Sequence, residues 1–260
     1  MIRERLVVGG VEVISIVICS VDAARFAAIS ARYRQLLAAE PHEIIGVHDA
    51  KSLCEGYNRG FQQSTGEIVV FSHDDIEILT EAFAERVKRH LARYDVLGVA
   101  GTDRLVGPGW VGAGPPHLFG QVAHRNRLTG ECSVYIYGVP SRVVSGIRAM
   151  DGVFLAFRRS VVERLRWDDE TFTGFHHYDL DMTFRAHLAG YRLAVVNDIP
   201  IVHESRGDYG PEWEVHAERF IQKHLHNLEV MAPRKFQLSF VATPTRDDLL
   251  EVMTPRYWTD

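Results

Sequence analysis

The stretch Glu67-Ile68-Val69-Val70-Phe71-Ser72-His73-Asp74-Asp75-Ile76 decides how the rest of the chain is read. Its first half is an apolar, β-rich run of the kind that forms a buried strand. It then stops in two adjacent carboxylates. Uncompensated charge at the edge of a core is costly, so this ending points to a bound cation or a chemical task. Carboxylates are hard oxygen ligands and suit Mg²⁺ or Mn²⁺ that also holds a substrate phosphate. Strand ends of open α/β sheets are where such ligands bind. Successive strand side chains point to opposite faces. The expectation is that Asp74 ligates directly and that Asp75 assists through water or hydrogen bonds. The competing reading is a solvated turn with an Asp cap.

Upstream, Val13 to Cys19 is β-branched and apolar and predicts a parallel strand. Phe26, Ile29, Tyr33, Leu36 and Leu37 follow at helical spacing, and a second strand lies near Glu43 to Val47. Ser52-Leu53-Cys54-Glu55 has the form of a capping box and opens another helix. Downstream, Thr80 caps a helix carrying Phe83, Val87, Leu91 and Tyr94, and Val96 to Ala100 returns as a strand. This βαβαβαβ order implies a parallel sheet with right-handed crossovers. Between Gly107 and Gly120, eight of the fourteen residues are Gly or Pro, which predicts a long mobile or functional loop. Ser133 to Val139 and Val143 to Ile147 read as short strands, as a hairpin. Val153 to Phe157 is a buried strand and Tyr178 to Leu188 a helix. Tyr191 to Val196 and Ile201-Val202 are late strands, and Pro211 opens an amphipathic helix.

The chain has 260 residues, 46% of them hydrophobic, which supports one large α/β domain. A net charge of −5 with no long basic run speaks against nucleic acid as a partner. The three cysteines, Cys19, Cys54 and Cys132, are widely spaced and odd in number, and read as reduced thiols of a cytoplasmic protein. No apolar run reaches the roughly 20 residues of a transmembrane segment. Peripheral contact at the inner membrane face and homo-oligomerisation stay open.

Asp179 and Asp181 lie two apart on the helix in Phe175-His176-His177-Tyr178-Asp179-Leu180-Asp181, about 200° around its axis, so they cannot share one job. Asp181 pairs with Arg185 at i, i+4. Asp179 is then free to face a cleft and accept a proton from an alcohol, although both are also favourable first-turn carboxylates. His176 and His177 read as cleft-lining groups, and His203 follows a short apolar run. Cys19 ends a strand without an evident partner and reads as a buried thiol. Gly56 and Gly60 inside a helix imply close approach by something.

In this order and spacing, the pieces from Val13 to about Leu225 resemble the family 2-like glycosyltransferases of the GT-A fold. The likeness is nearest to a bacterial branch with a His-Asp-Asp metal motif and a Tyr-Asp-Leu-Asp helix, here His73-Asp74-Asp75 and Tyr178-Asp179-Leu180-Asp181. The resemblance implies an α/β, Rossmann-like, open, twisted, mostly parallel sheet flanked by helices, with a mobile Gly/Pro-rich loop. It implies a single domain over 1–260: a nucleotide-sugar half at 13–106, an acceptor and catalytic half at 107–205 with its loop at 107–131, and a C-terminal helical tail at 206–260. It implies a metal-dependent, inverting hexosyltransferase that uses a nucleoside diphosphate sugar, UDP favoured over dTDP, in polysaccharide biosynthesis. The acceptor is a sugar, a lipid-linked sugar or a protein. Asp179 is the general base, and Asp74, Asp75 and His203 hold Mn²⁺ or Mg²⁺. Cys19, Ser20, Asp49 (or His48, for the base), Asn58, Gly60, His73 and Gly152 fall on the donor side. His176, His177 and Trp213 fall on the acceptor side. Ser72 stands where the usual motif has its first Asp, and Trp110 and Phe119 are further candidates to stack on sugars. The alternatives are a retaining GT-A enzyme and a non-catalytic nucleotide-sugar-binding module.

Overall fold

The computed structural model describes residues 12–126, 128–138, 141–205, 210–230, 239–243 and 245–254. In chain order it runs β1 (Ile14–Cys19), α1 (Ala23–Leu36), β2 (His42–Val47), α2 (Leu53–Gln63), β3 (Ile68–Ser72), β4 (Ile76–Ile78), α3 (Phe83–Leu91), β5 (Val96–Gly98) and β6 (Ala100–Thr102). A 3-10 turn at Trp110–Ala113 precedes β7 (Leu118–Arg125), β8 (Cys132–Tyr137), β9 (Val143–Ser145), β10 (Ala149–Met150) and β11 (Phe154–Arg158). Then come α4 (Arg159–Leu165), α5 (Tyr178–Leu188), β12 (Leu193–Val196), β13 (Ile201–His203), α6 (Pro211–His224), β14 (Ser239–Thr243) and α7 (Arg246–Met253).

The main sheet has the order β2-β1-β3-β11-β5-β12-β9. It is parallel across β2-β1-β3 and at β5-β12, while β11 and β9 insert antiparallel to their neighbours. The β-branched run of β1 explains its place near the centre. Ile14, Ile16, Val17 and Ile18 are all fully buried, as a strand covered on both faces requires. Helix α2 seats closely on this sheet, and here the two helical glycines find their reason. A Cβ at Gly60 would lie 2.4 Å from Val17 Cγ1, and one at Gly56 would lie 2.5 Å from Cys19 Sγ. The capping box forms as read, with Ser52 accepting from the Glu55 N–H at 3.1 Å. Glu55 returns its bond to the Lys51 N–H, one residue earlier than the usual box.

A second sheet, β10-β6-β7-β13-β4 with β8 and β14 beyond β7, was not foreseen. Its strands are mostly two or three residues long, too short for a period-2 pattern to show. The structure differs from the sequence reading at several further points. The loop at 107–131 is interrupted, because Leu118–Arg125 is a strand. The segment before that strand is pinned, with Trp110 Nε1 donating to Asp151 at 3.1 Å. The strands near 133 and 143 form no hairpin, since β8 pairs with β7 and β14 while β9 pairs with β12. The C-terminal tail contains β14 as well as helices. Finally, α3 starts at Phe83 with Thr80 outside it, its hydroxyl accepting from the Ala82 N–H at 3.2 Å. Among the described residues no helix is long and apolar enough to cross a membrane.

The functional consequence of two sheets lies at one crossing. Strand β3 belongs to the first sheet and β4 to the second. The chain passes between them over His73, Asp74 and Asp75. The motif therefore sits at a strand break, where its side chains are released from the core.

Candidate functional site

At this crossing the chain leaves the regular strand geometry, and the side chains sort by their contacts: Asp75 lies beside two imidazoles and Asp74 beside Ser20. The antiparallel pair β13-β4 sets His203 opposite Ile76, and so beside Asp75. The result is a triad. His203 Nε2 lies 3.3 Å from Asp75 Oδ1 and 3.4 Å from His73 Nδ1, and His73 Nδ1 lies 3.9 Å from Asp75 Oδ1. These three are the only described His, Cys, Asp or Glu side chains that converge within 4.8 Å as a metal-ligand set. Asp74 is not among them. Its Oδ2 accepts from Ser20 Oγ at 2.6 Å, on the turn after β1. The grouping thus contains Asp75 and His73, where the expectation had Asp74 as the direct ligand.

The surroundings of the triad suit a cation. Burial pushes the Asp75 carboxyl up, but the hydrogen bond and charge of His203, with Ser205 and His73, outweigh it and hold the group ionised well below the usual range. Burial, and then His203, lowers the His73 pKa, which keeps that imidazole neutral. Its Nε2 lies 2.7 Å from the Tyr178 hydroxyl. The tautomer that donates from Nε2 to Tyr178 leaves a lone pair on Nδ1, toward the triad. Donor atoms sharing one ion at roughly 2.1 to 2.2 Å sit about 3 Å apart when adjacent. The three separations are close to that spacing, so these residues fit a divalent ion.

Two cavities flank the crossing. One, of about 280 Å³, is lined by Cys19, Ser20, Leu53, His73, Asp74, Asp75, Phe175 and Ser205 among others. The other, of about 530 Å³, shares Arg25, Asp74 and Asp75. Cys19 is no nucleophile here, since burial, with Glu55, pushes its thiol up to about 12. His48 Nδ1 lies 2.9 Å from the Ser20 carbonyl, and the exposed Asp49 carboxylate pairs with Arg59 at 2.8 Å.

Asp179 reaches the same region through Gly152. The Gly152 N–H donates to Asp179 Oδ2 at 2.7 Å. Burial first, and Asp151 second, push the Asp179 carboxyl up to about 7, the poise of a proton acceptor near neutrality. A Cβ at Gly152 would lie 2.3 Å from the Tyr178 hydroxyl and 2.6 Å from Asp179 Cβ. Gly152 therefore packs directly against both the base candidate and the phenol that buttresses His73. Gly152→Ala should overpack this point at a cost of about 1–3 kcal/mol. Its melting temperature is expected to fall by several degrees and its Mn²⁺ affinity with it. Wild-type values for both, by calorimetry, would show that the contact is slack.

Several expected site residues are occupied elsewhere. Both ends of the Asn58 amide are spent on the Trp167 backbone, at 2.8 and 3.1 Å, so Asn58 ties α2 to the segment after α4. Gly60 serves the packing of α2 on β1. His177 is buried, caps the start of α5 with a left-handed φ of 63°, and packs 5.0 Å from Trp213 and 5.9 Å from Phe220. Burial pushes its pKa down to about 4. Its ring is buried against Trp213 and Phe220. His176 is half-buried beside it. Asp181 pairs with Arg185 at 2.7 Å as read, and also with Lys223 at 2.6 Å and His224 at 2.9 Å, a buried structural network. Asp151 and Ser205 escaped the sequence reading. The Asp-Gly doublet before β11 was the available signal for the first; there was none for the second.

A family model described as "Glycosyltransferase like family" matches residues 15–224. No curated protein matches the chain in sequence. Among solved structures, the mannosyltransferase PcManGT from Pyrobaculum calidifontis, in complex with GDP-Man and Mn²⁺, is similar at 13% identity and a TM-score of 0.50, over 85% of this chain and 66% of that one. GalNAc-T7 with UDP, GalNAc and Mn²⁺ is similar at 10% identity and a TM-score of 0.47, over 82% of this chain and 48% of that one. The chain thus spans just under two thirds of the first and about half of the second.

Proposed function

The chain belongs to this glycosyltransferase-like family, with the GT-A type of fold, and from that premise we propose that it moves a hexosyl group from a nucleoside diphosphate sugar to an acceptor hydroxyl with inversion. One observation carries the reading. A two-imidazole, one-carboxylate ligand set and a carboxylate poised near neutrality meet across Gly152 and Tyr178. His73, Asp75 and His203 would hold the divalent ion. When bound, it would offset the charge that develops on the leaving diphosphate. Imidazole is a softer donor than carboxylate or water, so this set favours Mn²⁺ over Mg²⁺. Mn²⁺ is also the ion in the similar mannosyltransferase.

The chain's own residues supply the rest. The turn Cys19-Ser20 and His48-Asp49 line the donor's approach, with Ser20 held by Asp74. Asp179, fixed by the Gly152 N–H, takes the proton from the acceptor hydroxyl as it attacks the anomeric carbon. Its raised pKa lets it hold that proton near neutral pH, and the carboxylate is regenerated when the proton passes to solvent. The Cys19 thiol stays protonated and outside the chemistry. The three free cysteines support a cytoplasmic setting. UDP is the first donor to test, dTDP the second, and GDP, the carrier in the similar mannosyltransferase, completes the panel. Thermal shift with each diphosphate, with and without Mn²⁺, tests the reading. A rise in melting temperature that requires both components is expected. No joint effect for any nucleotide would overturn it, and the product anomer by NMR decides inversion against retention.

A further inference from the structure

We propose that Asp151 is a positioning residue for the transfer: its carboxylate fixes the Gly152 turn that orients Asp179 and, through Trp110, ties that orientation to the Gly/Pro-rich segment. This rests on Asp179 as the base. Asp151 stands between β10 and β11, with its backbone N–H donating to the Ala100 carbonyl at 3.0 Å. Its Oδ1 accepts from the Val153 N–H at 3.0 Å, and its Oδ2 accepts from Trp110 Nε1 at 3.1 Å. The residue between these anchors, Gly152, is the one whose N–H holds Asp179. Trp110 is buried and packs edge-on against Tyr137 at 4.9 Å. The indole is therefore a fixed post on the segment before β7, and Asp151 is the strut from that post to the turn.

A mere turn cap would not require this residue. An asparagine oxygen accepts from the Val153 N–H equally well and adds no charge. Instead a second carboxylate stands across one glycine from Asp179, and like charges so placed disfavour ionisation. The titratable groups facing Asp179 are Asp151 from the turn, Tyr178 on its own helix and Tyr57 from α2, with His73 beyond the Tyr178 hydroxyl. Burial raises both phenols well above their ordinary range, so they stay neutral. Asp151 is the carboxylate that adds to burial in disfavouring ionisation of Asp179, and Trp110 holds that carboxylate in place.

The test needs no substrate. The full-length protein, labelled with ¹³C at aspartate carboxyls, is titrated by NMR as wild type, Asp151→Asn, Trp110→Phe and the double variant. Asp179→Asn identifies the resonance. Asp151→Asn should lower the Asp179 midpoint by about one pH unit or more. Trp110→Phe, which keeps an aromatic ring but not the N–H, should also move it. The double variant should match Asp151→Asn alone, because the indole acts only through that carboxylate. An unmoved midpoint in Asp151→Asn, or additive effects in the double variant, overturns the inference. Should Asp151→Asn fail to fold, Trp110→Phe decides by itself, and an unmoved midpoint there overturns it. A wild-type Asp179 that titrates in the ordinary carboxylate range defeats the base assignment itself, a separate outcome from an elevated midpoint that Asp151 leaves alone.

Discussion

Asp179→Asn should leave Mn²⁺-dependent donor binding within about twofold of wild type and lower transfer by about 10²–10⁴-fold, the range of general-base contributions. The amide keeps an oxygen for the Gly152 N–H, so the turn survives, but it cannot take the acceptor's proton. The wild-type profile of kcat/KM against pH should fall below about pH 7, where Asp179 protonates. The variant's residual activity should lack that limb. Stability should move in the opposite direction. A carboxyl whose folded-state pKa is raised contributes stability fully present below the unfolded value of 3.8 and lost as pH rises through about 7. At pH 8 the wild type holds an ionised carboxylate in a desolvated place, and the variant does not. Asp179→Asn should therefore melt higher than wild type at pH 8, and the gap should shrink on acidification. A variant with full transfer activity removes the base assignment. One that is inactive but also melts lower at pH 8 assigns the loss to damaged folding.

Asp75→Asn should cost at least about 100-fold in Mn²⁺ affinity, since groups that only orient metal ligands already cost 10–100-fold. The variant loses the anionic member of the triad while His73 and His203 keep their places. A ligand at about 100 times its Kd stabilises a fold by about 2.7 kcal/mol. The wild-type rise in melting temperature with Mn²⁺ should accordingly vanish in the variant. Asp74→Asn is the paired control. It disturbs the Ser20 contact and leaves the triad whole, so its Mn²⁺ affinity should stay within about threefold of wild type. Titration calorimetry separates the two. Equal losses in both variants would return Asp74 to the ion and dismiss the assignment of Asp75.

The long, uniform signals were legible. The β-branched run of β1, the capping box of α2, the helix at Tyr178–Leu188 and the strand before His73 all stand where the pattern put them. The second sheet was not, because strands such as Ile76–Ile78 and Ala100–Thr102 are shorter than the period that would reveal them. Within the site, a late histidine joining the first motif was implied by the resemblance, but which aspartate lies beside it was not legible. The choice is made by the bend between β3 and β4, whose course no local pattern records. Asn58 misled because a buried amide satisfied by a distant backbone looks, in sequence, like one awaiting a ligand. Asp151 left only its Asp-Gly doublet as a signal, and its link to Trp110, 41 positions away, left none.

The bend at His73–Asp75 gives its two carboxylates separate partners, the imidazoles for Asp75 and the Ser20 hydroxyl for Asp74. Both contacts depend on where the chain leaves one sheet and enters the next, so a residue added or removed between Ser72 and Ile76 would disturb the two together.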